Sequence, residues 1–340
     1  MVYELNDRSK VKNLFTGMED SLIQTCLQGM MDGKIYVTDP EHPKSAMAFL
    51  AEFAYYVGEP SRELVAYKPR GVVGMVPQSE GWAKLMEELW PVADKVTRYA
   101  IKKDTTFDRA NLTRLVKALP EGYEIRRIDA DLYDKCIKID DFEDGVCHFG
   151  SKEQYLSMGR GFVALKDGEP VSMASSYTVY REGVEIEIDT LETERRKGLA
   201  AAVGATLILS CLDDSLYPSW DAANMDSVHL CEKLGYEFNH EYPCYWLDAI
   251  LDEVVKDPDR TNWPGFCGRY ELPIKDHRVY DVNLKDGDLY LHFINTEGKP
   301  MDLKLWPIGP DAFGLMWGDD RITFPPDAMV LDGDVVCKKL

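Results

Sequence analysis

The feature of this sequence that most constrains its fold is a junction at residues 184 to 212, which read VEIEIDTLETERRKGLAAAVGATLILSCL. In the first part acidic and aliphatic residues alternate, which is typical of a β-strand with two different faces. After Gly198, small and aliphatic residues follow almost without interruption, which predicts a helix that is buried nearly all round. A strand that runs through a short turn into a buried helix indicates an α/β sheet with helices on its faces.

The turn between this strand and this helix carries Arg195, Arg196 and Lys197, in a chain whose formal net charge is −20. The first N–H groups of the helix have no intrahelical partner, and the positive end of the helix dipole lies there. Gly198 and the small residues after it allow an anion to approach the backbone. The turn has neither the Walker nor the Rossmann glycine pattern, yet it predicts a pyrophosphate site.

The spacing Arg195-x-x-Gly198-x-Ala200 after a strand resembles the acyl-CoA motif R/Q-x-x-G-x-G/A of the GNAT N-acetyltransferase superfamily. A second segment, WDAANMDSVHLCEKLGYEF, resembles the later motif of the same family. Its matching positions are Asn224, Ser227, Leu230, Lys233, Gly235 and Tyr236. The two motifs lie at the family's usual separation, and the resemblance covers about residues 123–248.

This resemblance implies an N-acetyltransferase that uses acetyl-CoA as donor and a primary amine, in a small molecule or a peptide, as acceptor. The amine would attack the thioester directly, and a backbone N–H group near Leu191 would polarise the thioester carbonyl. The residues implied for acyl-CoA binding are Leu191, Thr193, Arg195, Arg196, Lys197, Gly198, Leu199, Ala200, Asn224 and Ser227. Asn224 and Gly235 also fit an ordinary N-cap and C′ cap of the helix between them.

Glu185, Glu187 and Asp189 alternate, so a regular strand would place all three on one face. On an edge strand these acids would only be solvated. In the family's central fourth strand they would face the substrate cleft, where Glu185 or Glu187 would act as the general base. A β-bulge, frequent in this strand of the family, would change which acid points inward.

Many GNAT enzymes have a tyrosine at the position of Cys231, where it protonates the departing CoA thiolate. A thiol with a pKa of about 8.5 could also donate a proton, and a buried packing role is the alternative for Cys231. Tyr236, Tyr242 or Tyr245 could replace it as donor. This departure leaves a second function open, that of a non-catalytic acyl-CoA-binding or regulatory protein.

The chain divides into three predicted segments. Residues 1–122 are predicted to form an α/β unit whose element order echoes a degenerate GNAT-like copy that shapes the acceptor site. Residues 123–248 are the predicted catalytic domain. Residues 249–340 contain short strands separated by turns such as KDGD and TEGKP, which predicts a small antiparallel barrel or sandwich that serves as a lid, a homodimer contact or an element of substrate selection.

Two predictions within the N-terminal segment are specific enough to compare with the structure. Residues 7–31 are predicted to form one helix, since apolar residues recur there at helical spacing. The segment AMAFLAEFAYYVGEP is predicted to be one strand, closed by Gly-Glu-Pro.

Composition argues against several classes of protein. The net charge of −20 disfavours binding to nucleic acids or to anionic membranes. The sequence contains no apolar run of roughly 18 residues, so no membrane span is predicted. The N-terminus lacks the apolar core of a signal peptide. The eight cysteines and six histidines are scattered without metal-ligand spacing, which predicts reduced thiols, no metal site and a cytoplasmic protein.

Overall fold

The computed structural model of the protein describes residues 1–272 and 278–340. Contacts divide these residues into two units, one made of 1–68 and 73–246 and the other of 69–72 and 247–340. Pro273, which the sequence places at the end of a strand GRYELP, lies outside the described residues. No helix in the described ranges is long and apolar enough to cross a membrane.

The N-terminal half of the first unit contains six strands and four helices. The strands are β1 Tyr3–Glu4, β2 Lys34–Val37, β3 Ser45–Leu50, β4 Phe53–Gly58, β5 Val73–Pro77 and β6 Asp94–Ile101. The helices are α1 Ser21–Gln28, α2 Arg62–Ala66, α3 Glu80–Leu89 and α4 Arg109–Lys117. Strands β1 to β4 pair in antiparallel fashion, and β5 pairs with β4 in parallel.

Two predictions for this half were wrong in detail. The helix predicted over residues 7–31 is divided into a 3-10 helix, Arg8–Phe15, and α1, because the chain turns at Gly17 with φ of 82°. The predicted single strand is the hairpin of β3 and β4, whose turn contains Ala51 with φ of 52°. Alanine rarely adopts this left-handed conformation, so the residues gave no turn signal.

The C-terminal half of the first unit contains seven strands and five helices. The strands are β7 Tyr123–Arg127, β8 Gly161–Lys166, β9 Glu169–Tyr180, β10 Gly183–Thr190, β11 Tyr217–Ser219, β12 Asp221–Ala222 and β13 Phe238–Leu247. The helices are α5 Ala130–Cys136, α6 Asp140–Glu143, α7 Lys152–Met158, α8 Leu199–Asp213 and α9 Met225–Leu234. The five strands of its own sheet have the order β11-β10-β9-β8-β7.

The last two strands of the C-terminal half, β12 and β13, join the sheet of the N-terminal half. In the eight-stranded sheet of order β1-β2-β3-β4-β5-β13-β6-β12, β13 lies between β5 and β6, and β6 lies beside β12. Both halves also show antiparallel strands followed by one parallel pair, β4 with β5 and β10 with β11. This repeated pairing is what the predicted GNAT-like N-terminal copy would show. Because β12 and β13 join the N-terminal sheet, the predicted segments 1–122 and 123–248 lie largely in one unit.

The second unit is a nearly closed antiparallel barrel, as the sequence predicts. Besides the helix α10 Trp263–Phe266, it contains β14 Gly268–Glu271, β15 Val279–Lys285, β16 Asp288–Ile294, β17 Pro300–Lys304, β18 Trp306–Pro307, β19 Ala312–Gly314, β20 Arg321–Thr323, β21 Ala328–Leu331 and β22 Val335–Lys339. Its strand order begins with β17 and ends with β18, which are consecutive in the chain. Around Trp263 and Phe313, whose rings lie 5.5 Å apart, the barrel buries its own core.

Candidate active site

The site begins where two parallel strands separate. Strands β10 and β11 pair over only three residues, the last pair being Glu185 with Ser219. After Trp220 the chain continues as β12, which pairs with β6 in the other sheet. Beyond Glu185, one edge of β10 is therefore open to a cleft.

The open edge of β10 supplies backbone donors. Leu191 donates its N–H to the carbonyl of Val171 at 3.0 Å, which continues the ladder with β9. Backbone groups alternate in an antiparallel ladder, so the N–H groups of Ile188 and Thr190 point away from β9. The carbonyl of Thr190 accepts a hydrogen bond from Arg195 Nε at 3.1 Å, which agrees with this direction. The donor predicted near Leu191 is thus best supplied by Ile188 or Thr190.

The turn after β10 has the backbone conformation of an anion site. Gly198 is the N-cap of α8 in the left-handed conformation, with φ of 84°. Ala202 makes the first helical hydrogen bond, to the carbonyl of Gly198. The N–H groups of Leu199, Ala200 and Ala201 consequently have no acceptor within the helix. A Cβ atom on Gly198 would meet no described atom within 4 Å, and Gly198 to Ala201 line a cleft, so this turn borders open space.

The cationic side chains of the turn mainly stabilise the turn itself. Arg195 holds the carbonyl of Thr190, and Lys197 forms an ion pair with Glu194 at 2.8 Å. Arg196 has a φ of 63°, and its side chain is 89% exposed. These contacts engage the side chains of Arg195 and Lys197 and leave the backbone N–H groups at the start of α8 as the donors available to an anion, with the side chains adding positive potential.

A cleft of about 800 Å³ connects this turn to the carboxylates of β10. The predicted acyl-CoA residues that line it are Arg195, Arg196, Gly198, Leu199, Ala200, Asn224 and Ser227. Leu191, Thr193 and Lys197 lie next to the cleft, outside its lining. Residues that line it but that the sequence did not indicate are Glu52, Phe53, Tyr55, Arg98, Asp144 and Tyr177. Four of these residues come from the N-terminal half. Their contribution to the cleft could be found only from the tertiary structure.

The side chains of the second motif cap α9. The Oδ1 atom of Asn224 accepts the N–H of Ser227 at 2.9 Å. The hydroxyl of Ser227 in turn accepts a hydrogen bond from Trp220 Nε1 at 3.1 Å. Gly235 ends the helix in the left-handed conformation, with φ of 107°. The capping role considered for these residues is therefore confirmed, and Asn224 and Ser227 also border the cleft.

A β-bulge is present, but its extra residue lies in β9. Glu185 pairs with Thr178, whereas the next residue, Ile186, pairs with Ser176. Tyr177 is consequently the unpaired residue, and the alternation along β10 continues without a break. The three acids of β10 therefore share one face, as the sequence predicts.

Glu185 is a buried member of an ion pair. Its carboxylate accepts a hydrogen bond from the hydroxyl of Ser21 and lies 3.9 Å from Lys103 Nζ. The side chains of Glu185 and Lys103 are 7% and 17% exposed. Breaking such a pair is destabilising, which gives this carboxylate a role in the fold. Its second oxygen, Oε1, is buried without a hydrogen-bond partner among the described residues, and Glu185 lines the cleft, so its role as base stays a prediction.

Glu187 has the environment of a general base. It is half-buried, lines the cleft and shares a hydrogen bond with Asp189. Burial, followed by the negative charge of Asp189, raises the pKa of Glu187, while Arg98 opposes the shift. A carboxylate whose pKa is raised toward neutrality is a stronger base for an ammonium than an ordinary glutamate.

Cys231 is in the protein core. Its thiol donates to the carbonyl of Val228 at 3.1 Å, and burial raises its pKa to about 12. The side chain is fully buried and lies outside the cleft lining. This placement favours the packing role over proton donation to a thiolate.

The tyrosines considered as replacements donate elsewhere. The hydroxyls of Tyr236, Tyr242 and Tyr245 donate to the carbonyl of Pro218 at 2.7 Å, to Asp221 Oδ2 at 2.8 Å and to Glu87 Oε1 at 2.8 Å, respectively. A phenol that the sequence did not indicate, Tyr177, lines the cleft, and its hydroxyl has no hydrogen-bond partner among the described residues. Burial raises the pKa of Tyr177 well above its ordinary value, so it remains a proton carrier.

One cluster in the described ranges contains side chains of types that bind metals. Potential ligand atoms of Asp144, Cys147 and His148 lie within 4.8 Å of one another. Burial, followed by Asp144, raises the pKa of the Cys147 thiol to about 11. The sequence-based expectation of a protein without a metal site stays a prediction.

Comparisons with known proteins agree with this geometry. The family model described as GNAT acetyltransferase matches residues 12–245. The uncharacterized N-acetyltransferase YdfB of Bacillus subtilis is 26% identical over 257 residues, which cover 70% of this chain and 96% of that protein. A GCN5-related N-acetyltransferase-like protein from Streptococcus suis, solved by crystallography, is 43% identical with a TM-score of 0.67, covering 71% of this chain and 98% of that one. The residues matched by the family model include strands β10 and β11, the turn between β10 and α8, and the carboxylates of β10. The chain therefore belongs to the GNAT acetyltransferase family of acyltransferases.

Proposed function

We propose that the protein transfers an acetyl group from acetyl-CoA to a primary amine. The observation that carries this proposal is the cleft itself, which joins the unpaired N–H groups at the start of α8 to the half-buried carboxylate of Glu187. Acetyl-CoA would supply an activated thioester and a pyrophosphate. One end of the cleft offers N–H donors for the pyrophosphate, and the other offers a carboxylate for the amine.

The donor end would hold the coenzyme through its backbone. The N–H groups of Leu199 to Ala201 face the space that a pyrophosphate would occupy. Along the open edge of β10, the N–H groups of Ile188 and Thr190 are available to the pantetheine arm and to the thioester carbonyl. Ile188 lies beside Glu187 in sequence, so a carbonyl held there would be close to the base.

The acceptor end would prepare the amine. Glu187 would take a proton from the substrate ammonium, and the freed nitrogen would then attack the thioester carbon. As the new C–N bond forms and the C–S bond breaks, the nitrogen releases its second proton and the sulfur leaves as a thiolate that takes up one proton. Tyr177 would donate this proton, which is supported by its position in the cleft lining and by its raised pKa. The group that protonates the sulfur would be restored by the proton that the nitrogen releases.

The test is release of free thiol from acetyl-CoA with a panel of primary amines, together with mass detection of the acetylated amine. We expect one thiol for each acetylated amine and a large loss of rate in Glu187→Gln. Acetyl-CoA binding without thiol release with any amine would support the non-catalytic acyl-CoA-binding alternative. Failure to bind acetyl-CoA at all would overturn both functions.

A further inference from the structure

The acceptor end of the cleft contains more acids than one amine would need. Glu187 and Asp189 reach it from β10, and Asp144 reaches it from the residue after α6. Glu52, in the turn between β3 and β4, reaches it from the N-terminal half. Four carboxylates from three separate parts of the chain thus border one end of the cleft.

The cation that lines this end is already paired. Both Nε and Nη2 of Arg98 bind Asp221 Oδ1, at 2.8 and 2.7 Å. The guanidinium also lies over the ring of Phe53, 4.8 Å from its centroid. Because Arg98 is committed to Asp221, it compensates the four acids only at a distance.

This concentration of like charge has a cost that appears at Glu52. Burial, followed by the charge of Asp144, raises the pKa of Glu52 to about 7, although Arg98 lowers it. The carboxyl group is therefore partly protonated near neutral pH, and a bound cation would favour its ionised form. Acids with a perturbed pKa in a cleft are typical of functional sites, and a cation is the kind of ligand that would offset their mutual repulsion.

Tyr177 is an independent sign of a ligand at this end. The residue is 5% exposed, its hydroxyl has no hydrogen-bond partner in the described parts of the chain, and it lines the cleft. Its ring packs against Phe53 at 6.3 Å and His148 at 4.4 Å, which fixes its position. A buried hydroxyl without a partner is costly, so a polar group of the substrate is expected to complete it.

We propose that the acceptor is a diamine or polyamine, in which one amino group meets Glu187 and a second, protonated amino group is held by Glu52 and Asp144. This inference rests on the proposed function and names its substrate class. A monoamine would leave the carboxylates from the other two parts of the chain without a cation. The N-terminal half would thereby determine specificity, since it contributes Glu52 and the aromatic face of Phe53.

The test compares two probes of equal length, the five-carbon diamine cadaverine and the monoamine pentylamine. Calorimetry with the full chain at about pH 8, where Glu52 is ionised, should show about tenfold tighter binding of cadaverine. Glu52→Gln should remove this preference by lowering the affinity for cadaverine. Glu59→Gln, an exposed residue just after β4, is the matched control and should keep the preference.

A second variant, Asp144→Asn, should reduce the preference for cadaverine in the same direction, which guards against a folding defect of one variant. Equal affinity of the wild-type protein for the two amines, or an unchanged preference in both variants, would overturn the diamine inference. Thiol release is measured in parallel. Selective cadaverine binding without thiol release would sustain the diamine site and refute the proposed acetyl transfer. Thiol release with equal use of both amines would support acetyl transfer and refute the diamine site.

Discussion

Glu185 and Ser219 form the last pair of the parallel ladder between β10 and β11, and both are linked to Lys103. The ammonium of Lys103 donates to Ser219 Oγ at 2.7 Å and to the carbonyl of Trp220 at 2.9 Å, and lies 3.9 Å from Glu185. Lys103 follows β6 and so comes from the N-terminal half. One buried cation from one half thus fixes the point at which the strands of the other half separate.

This arrangement predicts that Glu185→Gln destabilises the protein. The substitution leaves Lys103 buried without its nearest carboxylate, which should lower the free energy of unfolding by about 3 kcal/mol. Denaturant unfolding measures the loss. In the double variant with Lys103→Met the loss should be smaller than the sum of the two single losses. Additive losses, or a rate defect without a stability defect, would instead support Glu185 as the base.

Glu187→Gln should remove activity and leave the fold intact. We expect kcat/KM to fall by about 10²- to 10⁴-fold, as for the loss of a general base. In the wild-type protein, kcat/KM should rise with pH through the raised pKa of Glu187, because the base must be ionised. This rise should be absent from the residual activity of the variant, and an unchanged pH profile would exclude Glu187.

The same group gives a stability test that needs no substrate. Because the pKa of Glu187 is raised in the folded state, its contribution to stability is complete at low pH and is lost as pH rises through that raised value. Glutamine cannot ionise, so Glu187→Gln should melt above the wild-type protein in alkaline buffer and close to it in acid. Parallel Tm-versus-pH curves for the two proteins would contradict the raised pKa.

Gly198→Asp should abolish coenzyme binding. The substitution brings a carboxylate to the donors at the start of α8, where it would repel a pyrophosphate, and it adds the cost of a positive φ. We expect acetyl-CoA affinity to fall at least about 100-fold by calorimetry. Gly168→Asp is the control, since Gly168 has nearly the same φ, 83°, and equally open surroundings in the turn between β8 and β9. A similar loss in both variants would point to backbone strain.

The local elements of the site could be predicted from the sequence because their signals are local. Alternation along β10, the small residues after Gly198 and the caps at Asn224 and Gly235 depend on neighbours within a few residues. The hairpin at Ala51 was missed because a non-glycine residue adopts the left-handed conformation there. Whether alanine can adopt this conformation depends on the surrounding sheet, and a local sequence pattern carries no information about the sheet.

The acceptor end could not be predicted for a different reason. It is made where distant parts of the chain meet, as when Phe53 packs against Tyr177. The sequence analysis also considered a bulge in the strand of the three acids, whereas the structure has the bulge in the neighbouring strand β9. The extra residue proved to be Tyr177, and this choice kept Glu187 on the face of Glu185.

Cys231→Ala should affect stability and leave catalysis unchanged. Removal of a fully buried sulfur should cost about 1 kcal/mol of unfolding free energy, because a small cavity remains. With acetyl-CoA and an accepted amine, kcat should stay within about twofold of the wild-type value if Cys231 donates no proton. Cys211→Ala, at another fully buried thiol, serves as the matched control. A fall in kcat specific to Cys231→Ala would restore it as the general acid.

Gly74→Ala should weaken the packing of β13, from the C-terminal half, against β5 of the N-terminal half. Gly74 lies in β5 beside β13, and a Cβ atom there would stand 2.9 Å from the ring of Trp246 and 3.1 Å from the sulfur of Cys244. Such overpacking should cost about 1–3 kcal/mol, measured by denaturant unfolding. Replacing the opposing indole ring in the double variant Gly74→Ala/Trp246→Leu should recover part of this loss, because the ring atoms that clash are removed. Gly265→Ala, where an added Cβ meets nothing within 4 Å, should be nearly neutral. If Gly74→Ala were as well tolerated as this control, β13 would not be packed against β5 as the structure shows.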